Sequence, residues 1–148
     1  MNRLSVPFPE DDYLLALGRI SYSVGYLEWA VLGHLPQIPD LPSELDLRAL
    51  VGRTTGGIGR QLQNPTVVAK VVNPALRAWL QEAGQRLIRV AELRNSVLHA
   101  RPATVKGQQR LHRWDPERGE IFTLTQRRLD AIIADINDSV RGLGPPPV

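Results

Sequence analysis

The sequence predicts an all-α fold, a bundle of four to five helices with a short β-hairpin inserted before the last one. Leu76, Leu80, Ala83, Leu87 and Val90 recur at steps of three and four, which lays one apolar stripe along a long helix. A second such pattern, Leu17, Ser21, Val24, Glu28, Val31 and Leu35, occupies the first quarter of the chain. After the long helix the period changes: residues 111–114 and 121–124 flank the turn-rich stretch 115–120, the composition of two short strands.

Taken in order, residues 1–10 with Pro7 and Pro9 read as an extended arm, and a long helix starts near Asp11. Glu10, Asp11 and Asp12 lie at its positive end, where the macrodipole favours acids. Pro36, Pro39 and Pro42 end it and force an extended connector. Ser43 restarts a short helix to about residue 51, with Asp46 in its first turn. The run 54–59, Thr-Thr-Gly-Gly-Ile-Gly, lacks the Gly-Lys-Ser/Thr ending of a P-loop and follows no strand, so it reads as a hinge before a helical piece at 58–63. Residues 66–72 fit either a helical turn or an extended piece. Asn73 followed by Pro74 starts the long helix, which runs to about Ala100 and stops at Pro102. Thr125 caps a last helix with Leu129, Ile132, Ile133, Ile136 and Val140 inward; Gly142 and Gly144 end it. Residues 11–143 thus form a single domain, and 144–148, with three prolines, read as a disordered tail.

At 148 residues the chain is long enough for one core without staples. The absence of cysteine excludes a disulfide scaffold and any thiolate metal site, and makes the cytoplasm the default address. No signal peptide or membrane span is legible, so a soluble protein without a membrane partner is expected. The net charge is only +3, yet sixteen cations are Arg and two are Lys. Arg offers a flat fork suited to phosphate and to stacking on bases, although a GC-rich genome writes the same bias.

The last slots of the long helix are polar. Arg94 continues the apolar stripe, where a guanidinium needs an acceptor or a cleft. Asn95 and His99, four apart, lie nearly in register, whereas Arg94 and His99 are displaced by roughly 140°. Glu28 occupies a core slot of the first helix, so it is expected to approach Arg94, directly or across a dimer contact. The alternative is a seam through Leu27 that turns Glu28 to solvent.

Arg94-Asn95, three residues, then His99, closing a long helix and followed by a Pro-containing segment, resembles the signature of the HEPN superfamily. That pattern is an Arg, usually a polar residue after it, and a His four to six positions on. The resemblance implies a HEPN-like helical bundle that dimerises and works as a metal-independent endoribonuclease of the toxin or defence kind. It implies Arg94, Asn95 and His99 as catalytic residues with Glu28 in support, no cofactor and no metal, and RNA and a second copy as partners. Arg101, Lys106, Arg110 and Arg113 would then line a path for the RNA backbone. The alternative is a non-catalytic HEPN-like module that binds nucleotide or RNA, or pairs with a nucleotidyltransferase-type protein or other cognate antitoxin.

The chemistry suits these residue types. RNA carries its own nucleophile, the 2′-OH, so cleavage needs a group that exchanges a proton near neutral pH and fixed positive charge for the transition state. His34, His99 and His112 have no zinc-like spacing, and no Gly-x-Ser-x-Gly elbow supports a serine nucleophile. In the competing arrangement Arg94, Asn95 and Glu28 form a buried polar network that fixes helix register, with His99 closing it.

Overall fold

The computed structural model describes residues 4–147; residues 1–3 and 148, which belong to the expected arm and tail, lie outside the described residues. Six helices and three strands follow in the order α1 (Asp11–His34), α2 (Leu47–Leu50), α3 (Thr55–Leu62), α4 (Pro65–Val68), α5 (Pro74–Leu98), β1 (Arg101–Val105), β2 (Gln108–Asp115), β3 (Glu120–Leu124) and α6 (Gln126–Arg141). Short 3-10 turns at Leu35–Gln37 and Ser43–Leu45 fill the proline-rich connector.

The all-α expectation is overturned. The chain is about 60% helical, and β1, β2 and β3 form an antiparallel sheet in that order, so the class is mixed α/β. The expected hairpin is present as β2 and β3, with Asp115 paired to Glu120 across the turn. The unexpected strand is β1. Pro102 donates nothing to a ladder, and here it sits on an edge strand, where that loss is tolerated. Lys106 and Gly107 both have positive φ, 51° and 78°, the conformation of a two-residue hairpin turn that joins Val105 to its partner Gln108.

The helices begin where side chains satisfy their free amides. Asn73 Oδ1 accepts from Ala75 N at 2.9 Å and Leu76 N at 3.3 Å, ahead of Pro74 in the first helical position. Thr125 caps α6 through Arg128 N, and Asp46 is itself the cap of α2, accepting from Ala49 N at 2.8 Å. Thr54 caps α3, so the glycine run is the first half of a helix and not a hinge. What overrides the poor helix propensity of Gly56, Gly57 and Gly59 is packing: α3 lies against α5 with Gly59 opposite Gly84. A Cβ on Gly59 would come within 2.6 Å of the Gly84 carbonyl oxygen, and one on Gly84 within 2.6 Å of the Gly59 carbonyl oxygen.

On the other side of α5, α1 and α6 complete a three-helix core. The buried side of α1 is Tyr13, Ala16, Ile20, Val24, Leu27 and Val31, so the seam passes through Leu27 while Ser21 is exposed and Glu28 half-buried. Leu124 and the half-buried Leu111 and Phe122 bring one face of the sheet onto this core. The described part of the C-terminal segment, 144–147, lies beside α5, where Trp79 Nε1 donates to the Gly144 carbonyl at 2.8 Å.

Tyr13 fastens α1 to the sheet. Its hydroxyl donates to the Leu124 carbonyl at 2.7 Å and accepts from the Leu111 amide at 2.9 Å. Burial pushes the phenol above its ordinary pKa, which keeps the donating proton in place. Tyr13→Phe leaves both backbone groups without this partner and is expected to lower stability by about 1–3 kcal/mol. Urea denaturation with amide exchange at Leu111 checks it: unaltered protection there would show that the hydroxyl carries nothing.

Candidate functional site

The ladder decides which residues share a face. Pairing of Arg101 with His112, Ala103 with Arg110, His112 with Thr123 and Trp114 with Ile121 puts all seven on the face turned away from the core. The inner face carries Leu111, Leu124 and Phe122; Arg113, paired to Phe122 but lying past the end of β1, reaches toward the end of α5 and borders the groove from that side. Two large apolar side chains remain open on the outer face, Trp114 at 57% and Ile121 at 62% exposure.

β1 also reverses the chain so that β2 returns to the end of α5. His99, the residue that closes α5, thereby joins Arg101, His112, Arg113, Trp114 and Ile121 around one open groove of about 490 Å³. Of the residues singled out by sequence, His99, Arg101 and Arg113 meet there. His112 and Trp114, which also line the groove, are not among the site residues that the sequence predicts. Their signal was available in the sum rule of a hairpin: each β1–β2 pair has residue numbers totalling 213, which sets position 99 opposite 114.

Arg94 goes elsewhere. Its Nη1 donates to Thr55 Oγ1 at 3.1 Å, and the Thr55 hydroxyl in turn donates to the Glu28 carboxylate. Glu28 and Arg94 therefore communicate through one hydroxyl on the first residue of α3, with no ion pair within 4 Å. Thr55 is 2% exposed, the one fully buried polar residue among those described. Arg94 Nη2 reaches Asn95 Oδ1 at 3.4 Å, and Arg94 Nε is buried without a partner among the described residues. This chain of contacts ties α1, α3 and α5 together, and it faces the helix core, not the groove. The 140° offset between positions 94 and 99 is what separates the two.

The remaining cations divide by what holds them. Arg113 Nη1 donates to the Asn95 carbonyl at 3.3 Å, near the end of α5, where the helix dipole favours a cation. Arg110 is occupied: it grips Glu10 at 2.6 and 3.1 Å and lies 4.8 Å from the centre of the Tyr13 ring. Lys106 is exposed at the β1–β2 turn, away from the groove lining. In the groove, His112 Nε2 is buried and has no hydrogen-bond partner among the described residues. Among the same residues, no three His, Cys, Asp or Glu side chains converge as a metal cluster would need, and no helix is long and apolar enough to cross a membrane.

The Glu10–Arg110 contact makes a pH prediction. The guanidinium donating to Glu10 holds its carboxyl below the usual value of 4.5, so the folded chain gains from the ionised form. That gain is whole above pH 4.5 and fades as pH falls through the lowered value. Glu10→Gln should therefore be less stable than the parent at neutral pH, with the difference vanishing in acid and shrinking in high salt. Thermal melts of both proteins from pH 7 to pH 2 test this; a difference that grows on acidification contradicts it.

No family model, curated protein or solved structure matches the chain.

Proposed function

We propose that the protein is a HEPN-like, metal-independent endoribonuclease whose working surface is the groove between the end of α5 and the outer sheet face. One observation carries the reading: two imidazoles, His99 and His112, line a single groove with two guanidiniums and an indole. In this reaction the 2′-oxygen of the substrate attacks the adjacent phosphorus and the bond to the 5′-oxygen breaks. One imidazole takes the 2′-OH proton and the other gives a proton to the leaving oxygen, so the products are a 2′,3′-cyclic phosphate and a 5′-hydroxyl. Arg101 and Arg113 balance the negative charge on the phosphoryl oxygens, and Trp114 gives a base a face to stack on. In this version of the site Arg94 and Asn95 hold the end of α5 in place and so position His99, while Glu28 supports them through Thr55.

A second reading, an RNA-binding module without cleavage, is favoured by the inward engagement of Arg94, the very residue the HEPN pattern makes catalytic. A single experiment separates the two. Single-stranded RNA is incubated with the protein in EDTA; cyclic-phosphate ends that disappear with His99→Ala and with His112→Ala support the enzyme. RNA that is bound in a salt-dependent, Trp114-dependent way yet stays intact supports the module. RNA that neither binds nor breaks rejects both.

A further inference from the structure

We propose that the outer face of α1 is the contact between two copies of this chain, packed as an antiparallel helix pair about a two-fold axis. The inference rests on α1 alone and does not depend on the RNA reading.

α1 is apolar on two opposite sides. Opposite its buried seam, Leu15, Tyr22, Tyr26 and Trp29 are 51, 76, 58 and 59% exposed. At 100° per residue these four fall within an arc of about 60°. Gly18, Gly25 and Gly33 lie in or beside the same arc, and a Cβ built on any of them would meet nothing within 4 Å. Between Leu15 and Gly33 the face runs about 27 Å, and its single charged residue is Arg19, at one margin. Rings standing beside notches over such a length form a surface shaped for another helix.

The pattern is complementary to itself, which is why the occupant is a second copy. Tyr22 and Tyr26 are equidistant from the level of Val24. A two-fold axis at that level sets Tyr22 against Tyr26 of the second copy, Leu15 against Gly33, Gly18 against Ala30, and the Trp29 indole against Arg19. Each large group then meets a notch or a matching ring, and the one charge meets an aromatic face. Tyr26 also borders a groove of about 260 Å³ with Ala30, His34, Val140 and Leu143, into which the opposing Tyr22 ring can settle. The four exposed side chains offer roughly 500 Å² per chain, from the usual size of aromatic residues. Counted on both copies and extended by the rim, this reaches the roughly 1,200 Å² at which specific interfaces begin. A patch of this size lies within the roughly 300–600 Å² of the largest patch on a typical monomer, a patch that is often a site of interaction.

The test is the mass of the full-length chain in solution, by sedimentation velocity at tens of micromolar. The expected value is twice the 16.5 kDa of one chain. Tyr22→Lys and Tyr26→Glu each replace an exposed side chain, so each should remain folded by circular dichroism and run as a monomer. Mixed, the two variants should regain the double mass, because the proposed register brings position 22 of one against position 26 of the other. A wild-type monomer, or a dimer that survives Tyr22→Lys, overturns the proposal; so does a monomer that attaches to phosphatidylcholine vesicles through this face. RNA cleavage is not a readout here, so either proposal can fail without the other.

Discussion

Gly59→Ala lowers the stability of the protein by about 1–3 kcal/mol, the usual cost of forcing a group into a filled space. The sign is the informative part, since the same change in an exposed helix gains about 0.5–1 kcal/mol. Here the new methyl would approach the Gly84 carbonyl oxygen to 2.6 Å and the Ile88 Cγ1 to 2.8 Å. A backbone carbonyl in mid-helix cannot step aside, so α3 must lift from α5 and loosen the contacts that Ile58 and Leu62, both fully buried, make in the core. Gly84→Ala acts by the same displacement, so the double variant should cost less than the two single costs added together. Gly59→Val should leave little folded protein at all. Urea titrations give these numbers, and a stabilised Gly59→Ala would falsify the close approach.

The second large effect divides activity from stability. Removal of either groove histidine should reduce RNA cleavage by about 10²- to 10⁴-fold, the ordinary worth of positioned acid–base groups, with the unfolding midpoint unchanged. Thr55→Val should do the reverse. It keeps the shape of the side chain but deletes the hydroxyl between Arg94 and Glu28. Hydrogen bonds to charged groups are worth about 1.5–3 kcal/mol, and the partial exposure of both charges puts the expected loss near the lower end. Arg94→Ala belongs with Thr55→Val, with any fall in cleavage scaling with lost stability. If Arg94→Ala instead eliminates cleavage from a protein that melts normally, Arg94 reaches the substrate, and the three-residue HEPN site replaces the two-histidine groove.

The long helices were legible because each carries its own start signal and a periodic apolar side; Asn73-Pro74 and Thr125 mark α5 and α6 within a residue or two. The sequence pattern sets the seam of α1 one position off because both sides of the helix are apolar, and Leu17, Val24 and Val31 fit a stripe almost as well as the buried Ile20, Val24 and Leu27. No local rule reports that Tyr22 and Trp29 are outside. α3 is legible only in its second half, as the helical piece at 58–63: the glycines at 56, 57 and 59 have little propensity of their own, and what makes that first half helical is a partner glycine 25 positions from Gly59, at Gly84. β1 was hidden behind Pro102 and a Lys-Gly turn that lacks the usual asparagine. With β1 missed, the path that carries His112 back to His99 was missed too. Thr55 could not be read at all, since its role exists only where three helices meet.

The indole that donates to Gly144 has two companions, and their separation gives the molecule three optical reporters. Trp29 stands on the outer side of α1, Trp79 is 6% exposed beneath the C-terminal segment, and Trp114 borders the groove. In variants retaining one indole each, emission from Trp79 should sit furthest to the blue and shift red only when the terminal segment detaches. Quenching of Trp114 by added oligonucleotide, and concentration-dependent shielding of Trp29 from iodide, would then follow ligand and self-association as separate signals.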